Sequence, residues 1–367
     1  MLVPIFVLNK LFFIPLFLMA VYVLLARPLR TIAPIIVVSI FLYGFLLGLI
    51  GDTDADFSRQ MLLGAVSLFL IYTIAEFRVD MGEIVKSVGA IFALIMCTFS
   101  FILMVEPGSF LAVALLDFYN ANELGYYGLR NFGGLEMFML HHRSSPFMLL
   151  PLSLFFIDFL KSKRLHSLFF MIVIMVAIVS SASRGLMVMG MISMFVLYFY
   201  NQSWAVRLLV LSALVPAVSL VVGYLVAETS VFSSDEASNS IKIGHFLSFL
   251  NVVDWKMLVF GNGLGSFFYT EGYQRLVSQT EITWMDSIRY VGLPLSILLF
   301  SILLFPTRRY VPSVQGSSSR LIIFMYLIMS LSNPVLFNSF GFLVILWYWS
   351  VVLKNQEPSA LHAEVRR

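Results

Sequence analysis

Apolar runs long enough to cross a hydrocarbon layer recur along this chain, and nothing else in it restricts the fold so tightly. They cover residues 4–26, 32–50, 61–77, 87–105, 145–160, 168–181, 185–200, 206–226, 287–305, 321–332 and 337–353. A bilayer core about 30 Å thick needs about 20 helical residues, so these runs read as membrane spans. Composition agrees: 60% of residues are hydrophobic and 12% charged, where a soluble domain carries roughly a quarter charged. The expected fold class is all-α, a polytopic transmembrane helical bundle of about eleven spans, with residues 1–367 as a single integral membrane domain.

Residues 1–26 are too long and too uniformly apolar for a cleaved signal peptide and read as the first span. The lysine and arginine pattern sets the orientation. Arg27, Arg30, Arg78, Lys86, Lys161, Lys163, Arg164, Arg207, Arg308, Arg309, Arg320, Lys354, Arg366 and Arg367 fall on one side, which is therefore cytoplasmic. Two long segments, 106–144 and 227–286, are then structured extracytoplasmic loops. In the first, 110–118 suits a helix lying in the membrane surface, and 119–132 suits a polar surface lined by aromatics. In the second, 240–253 regains helical periodicity. A net charge of +3 without a basic tract gives no reason to expect a nucleic acid partner. Cys97 is the single cysteine, so an intrachain disulfide or a cysteine metal cluster is excluded.

Chemistry concentrates at a few places. Gly261, Gly263 and Gly265 alternate ahead of the run 287–305, a pattern that permits positive φ and close approach of another group. Glu281, Asp286 and Arg289 then crowd the start of that span. Ionisable groups at such a depth must face protein or water, which makes them functional candidates, while Asp286 and Arg289, three apart, also suit an internal ion pair. Residues 165–200 would measure some 54 Å as one helix, so the chain must turn back near Arg184, with Ser180, Ser181 and Ser183 to satisfy freed backbone groups. A serine-flanked arginine suits an anion. Lys242 and His245 share one helical face, and His141, His142 and Arg143 close the first outer loop. Two adjacent histidines without further ligands do not make a metal site.

The Ser-x-Ser-Arg-Gly turn at 181–185 resembles that of the O-antigen polymerase and O-antigen ligase superfamily. So do the glycine motif of 261–267, Thr280-Glu281 followed by Trp284, Ile288 and Gly292, and the stretch 330–337. The resemblance covers roughly residue 165 to the C-terminus; before that only hydropathy matches. Many relatives carry arginine where this chain has Lys242. The ligases carry His-Asn where it has Thr280-Glu281, which favours a polymerase.

The resemblance implies a GT-C-like fold in a bacterial inner membrane, with the active site facing the periplasm. It implies inverting-type glycosyl transfer between undecaprenyl-pyrophosphate-linked glycans as donor and acceptor, and leaves room for a chain-length regulator as partner. Such a donor is already activated. The protein must hold the leaving pyrophosphate, a task for arginine, and deprotonate an acceptor hydroxyl, a task for a carboxylate or histidine. Glu281 is the expected base, with His245 as the other catalytic candidate. Arg184, Ser183, Arg143, Lys242, Arg289 and Gly263 are the expected substrate contacts. No cofactor, nucleotide or metal is expected, since the chain shows no Walker-type phosphate-binding loop and its glycine motif lacks the spacing of a dinucleotide fingerprint. A ligase of the same superfamily and a lipid-linked oligosaccharide transporter are the alternatives. A transporter should carry helices interrupted near mid-membrane in corresponding halves and charges inside its spans, whereas the polar residues here sit in two outer loops and their span ends.

Overall fold

The computed structural model describes residues 6–27, 30–122, 124–132, 135–208, 210, 212, 237–307, 314–331 and 333–354. It is mostly helical. The helices used below are α1 (Phe6–Ala26), α2 (Ala33–Gly48), α3 (Ala55–Val66), α4 (Leu70–Glu76), α5 (Met81–Val105), α6 (Phe110–Ala121), α7 (Leu149–Ser162), α8 (Leu165–Ser180) and α9 (Arg184–Tyr200). They continue as α10 (Ala237–Val252), α11 (Trp255–Phe260), α12 (Thr283–Leu304), α13 (Val314–Ser330) and α14 (Ser339–Lys354).

By length and composition, four stretches among the described residues are fit to cross a membrane: Ala55–Glu76, Met81–Val105, Ser145–Ser162 and Thr283–Leu304. Shorter apolar helices accompany them, among them Ala33–Gly48, Leu165–Ser180, Arg184–Tyr200 and Ser339–Lys354. The expected span 206–226 lies largely outside the described residues. Large apolar side chains stand uncovered on the long helices, Phe101 at 66% and Ile297 at 59%, as lipid contact requires.

The all-α expectation needs one amendment. Two antiparallel hairpins are present among the described residues, β1 (Gly125–Phe132) with β2 (Leu135–His142) and β3 (Phe268–Thr270) with β4 (Arg275–Val277). Each has two strands and lies in one of the segments read as outer loops. Strands as short as β3 and β4, or as mixed as β1, can pair in this way without an apolar alternation that sequence reading would detect.

The chain forms two compact units. One comprises residues 1–84 and 244–367 and is organised around α12. Within that helix Gly292 takes φ 80° and ψ 164°, and Pro294 follows. Proline has no N–H to donate and its ring crowds the carbonyl four residues earlier, while glycine tolerates the left-handed φ. The break frees carbonyls, and the glycine motif takes them: Asn262 N donates to Arg289 O over 2.7 Å and Gly263 N to Tyr290 O over 3.0 Å. Leu264 N then donates to Gly44 O of α2 over 2.8 Å, and Ser58 Oγ to Leu264 O over 2.6 Å. The close approach expected at Gly263 is thus made by the protein itself. A Cβ there would lie 2.4 Å from Cα and N of Gly48, at a φ of +94°. Gly263, expected as a substrate contact, is thus packed against the backbone of α2. At the far end of α12, Trp349 Nε1 and Tyr348 OH donate to the carbonyls of Leu303 and Leu304, which no helical partner reaches.

The other unit comprises residues 85–243. Gly89 of α5 lets Pro151 of α7 press close, since a Cβ there would lie 2.3 Å from Pro151 Cγ. Lys86 Nζ meets Asp158 Oδ2 at 2.6 Å on the same pair of helices. Helix α6 falls where a surface helix was expected; Ser109 caps it, and Phe110 and Leu111 are exposed. Tyr119 OH donates to His141 O over 2.6 Å, which fastens the β1–β2 hairpin to α6.

Candidate functional site

In the first unit, the two catalytic candidates meet through a residue that the sequence did not single out. His245 is fully buried on α10, and its Nδ1 shares a 2.6 Å hydrogen bond with Thr270 Oγ1 of β3. Its ring lies edge-on to Tyr273, with 4.6 Å between centroids. Tyr273 OH in turn donates to Glu281 Oε1 over 3.0 Å. Gly244 makes this packing possible, since a Cβ there would lie 2.5 Å from Gly272 N.

Burial, and secondarily the positive charge of Arg289, lowers the His245 pKa to about 4. The imidazole is therefore neutral at pH 7, a weaker base than an ordinary histidine, and it is enclosed beneath the β3–β4 hairpin. Its Nε2 is buried without a hydrogen-bond partner. Glu281, by contrast, is half-buried and reaches the surface of the unit.

Glu281 stands two residues before α12, in a segment gripped from below. Asp286 Oδ2 accepts from Thr280 N over 2.8 Å and from Thr280 Oγ1 over 3.1 Å. Asp286 Oδ1 pairs with Arg289 Nη2 at 2.9 Å, both side chains being almost wholly buried. Arg289 Nη2 also donates to Ser278 O over 2.7 Å, and Nη1 donates to Ser266 O. The guanidinium carbon lies 4.3 Å from the centroid of Phe268. The internal ion pair anticipated for Asp286 and Arg289 is therefore present. Arg289, expected among the substrate contacts, has both terminal nitrogens engaged by acceptors of the protein, while its Nε is buried without a hydrogen-bond partner.

The second unit holds Arg184, Ser183, Arg143 and Lys242. The expected reversal near Arg184 is seen as the turn between α8 and α9. Ser181 Oγ donates to Ile178 O over 2.6 Å, Ala182 takes φ 44°, and Ser183 Oγ accepts from Leu186 N over 3.4 Å as the N-cap of α9. Arg184 is the first helical residue and is half-buried. Arg130 of β1 comes to the same turn, with Nη1 donating to Ala182 O over 3.0 Å. Arg143 is exposed just beyond β2, and Lys242 is half-buried on α10.

His142 Nδ1 accepts from Ser144 N over 2.9 Å, which makes it part of the turn after β2. Burial lowers both His141 and His142 to about 4, helped by Arg130 for the first and by His141 and Arg143 for the second. At neutral pH the cations of this region are therefore its arginines, whose planar forks suit phosphate oxygens. Among the described residues no three His, Cys, Asp or Glu side chains are grouped as metal ligands would be.

Tyr273, Thr270 and Arg130 escaped sequence reading. Each owes its position to a hairpin, and neither hairpin carries a readable period; only the arginine's place in an aromatic outer segment hinted at a role.

No family model matches the chain, and no solved structure matches it. The chain is similar to an O-antigen polymerase of Shigella flexneri, with 25% identity over 335 residues that cover 84% of this chain and 78% of that protein. That share exceeds residues 165–367, to which the motifs confined the likeness, so the similarity reaches into the first half as well. The resemblance to the O-antigen polymerases read from the turn at Arg184, the glycine motif and Thr280-Glu281 is borne out by a likeness that runs through most of the chain.

Proposed function

We propose that this protein is a polysaccharide polymerase, a multi-pass membrane glycosyltransferase that joins undecaprenyl-pyrophosphate-linked oligosaccharide repeat units on the outer face of the bacterial inner membrane. The observation that carries this reading is the similarity to an O-antigen polymerase along 84% of the chain. In the proposed reaction an acceptor hydroxyl oxygen attacks the anomeric carbon of the donor sugar. The bond from that carbon to the pyrophosphate oxygen breaks, its electron pair leaves with the pyrophosphate, and the hydroxyl proton passes to Glu281. Arg184 and Ser183 hold the pyrophosphate, with Arg143 and Lys242 as further cationic contacts. The half-buried carboxylate of Glu281, held by Tyr273, is the group suited to the acceptor, and the enclosure of His245 argues for a supporting role. No step requires a metal.

The test has two parts. Deletion of the gene should leave surface glycans that carry single repeats and no long chains; loss of even the single capped repeat would point to a ligase or a transporter. In purified protein supplied with lipid-linked repeat units, Glu281→Gln should bind donor normally and turn over about 10²–10⁴-fold more slowly, the usual worth of a general base. Near-normal turnover would remove Glu281 from the chemistry.

A further inference from the structure

We propose that Arg289 and Asp286 are positioning residues that hold Glu281 in register for catalysis by fixing both ends of the β3–β4 hairpin; this rests on the assignment of Glu281 as the base. The argument begins with what the pair touches. Arg289 donates to Ser266 O, two residues before β3, and to Ser278 O, one residue after β4. Asp286 holds the backbone and side chain of Thr280, the residue next to Glu281. Ser278 is further tied by its Oγ to Asp54 Oδ2 over 3.2 Å, and its carbonyl also accepts from Tyr290 OH. The strand leading to Glu281 is thereby pinned at alternate residues, 278 and 280, from a single turn of α12.

A buried ion pair is weak support for stability, because removing two charges from water offsets most of their attraction. A pair of apolar residues would fill the same space. What apolar residues would not do is place two backbone acceptors and one backbone N–H at fixed points along a loop. The geometry therefore accounts for charges here better as a device that sets position than as one that adds stability. Thr280 serves twice, since its Oγ1 also accepts from Ile282 N over 3.1 Å, so the amides of the residues on either side of Glu281 are both held.

The experiment is a double-mutant cycle in purified full-length protein with lipid-linked repeat units as substrate. Arg289→Lys keeps the charge opposite Asp286 but cannot serve both carbonyls. It should lower kcat about 10–100-fold, the effect of displacing a catalytic group by about 1 Å, and leave the donor KM unchanged. Thr280→Val, a smaller change, should act in the same direction and supplies the cycle if Arg289→Lys is not recovered folded. In chains already carrying Glu281→Gln, either substitution should cost little more, because the group it positions has gone. An equal kcat loss with and without Glu281→Gln overturns the inference, as does an unchanged kcat in both single variants. Near-normal turnover of Glu281→Gln alone overturns the base assignment, and this inference with it, without reference to Arg289.

Discussion

Tyr273 donates its hydroxyl proton to Glu281 Oε1 over 3.0 Å, while the edge contact of its ring with His245 keeps it from turning away. Tyr273→Phe preserves that packing and removes one hydrogen bond to a charged group, an interaction worth about 1.5–3 kcal/mol. Turnover should fall by about 10–100-fold with little change in thermal stability. The assay is the same purified reaction with lipid-linked repeats, run beside a melting curve. Full turnover in the variant would reduce Tyr273 to packing.

Arg184 begins α9 at a serine-capped turn where Arg130 is also docked. Arg184→Ala should raise the KM for the lipid-linked donor by at least about 10-fold, and Arg184→Lys should be impaired too, because a point charge does not reproduce a bidentate fork. Polymer formation at the normal rate by Arg184→Ala, at equal protein level, would exclude it from donor binding.

Gly263 and Gly292 both have positive φ and both face backbone, of Gly48 and of Val259 respectively. Alanine at either adds left-handed strain of about 1–2 kcal/mol and overpacking of about 1–3 kcal/mol. Each variant should therefore lose about 2–5 kcal/mol of stability, read as a lower melting temperature or poor recovery from detergent. A stable Gly263→Ala with weakened substrate binding would place that residue among the substrate contacts.

His245 is held near a pKa of about 4, against its ordinary 6.5, so the folded state prefers the neutral ring. The unfolded chain then binds the extra proton first. The stabilising effect is complete above about pH 6.5 and is lost as pH falls through about 4, a change of about 3 kcal/mol at most. His141 and His142 have the same sign and window. Melting temperature should thus drop between pH 7 and pH 5, and His245→Gln should flatten part of the slope. A melting temperature constant over that range would contradict the burial described for all three.

The parts of the fold that sequence exposes are those with a period or a length. Runs such as 87–105 can hardly be anything but helix, and the reversal at Arg184 follows from arithmetic on 36 residues between 165 and 200. The pairing of Asp286 with Arg289 was legible from their three-residue spacing. What was not legible is long-range: Tyr273 reaches Glu281 only because a hairpin folds, and Ser266 reaches Arg289 across 23 positions. The glycine motif was noticed for the right physical property, close approach, but sequence alone does not say to whom. Here the visitor is α2, some 200 residues earlier, and the broken turn of α12. That break was itself hidden, since Gly292 and Pro294 sit inside a run whose hydropathy never falters.

The glycine loop lies between an early helix and a late one, which fixes an order for making the protein. Gly44 leaves the ribosome long before Leu264, whereas Arg289 and Tyr290 leave after it. The loop therefore has nowhere to settle until α12 has been threaded into the bilayer and has broken at Gly292. Chains that stop before residue 283 would lack both carbonyls that accept from the amides of 262 and 263. Maturation of the segment that carries Glu281 is thus deferred to the last stretch of synthesis.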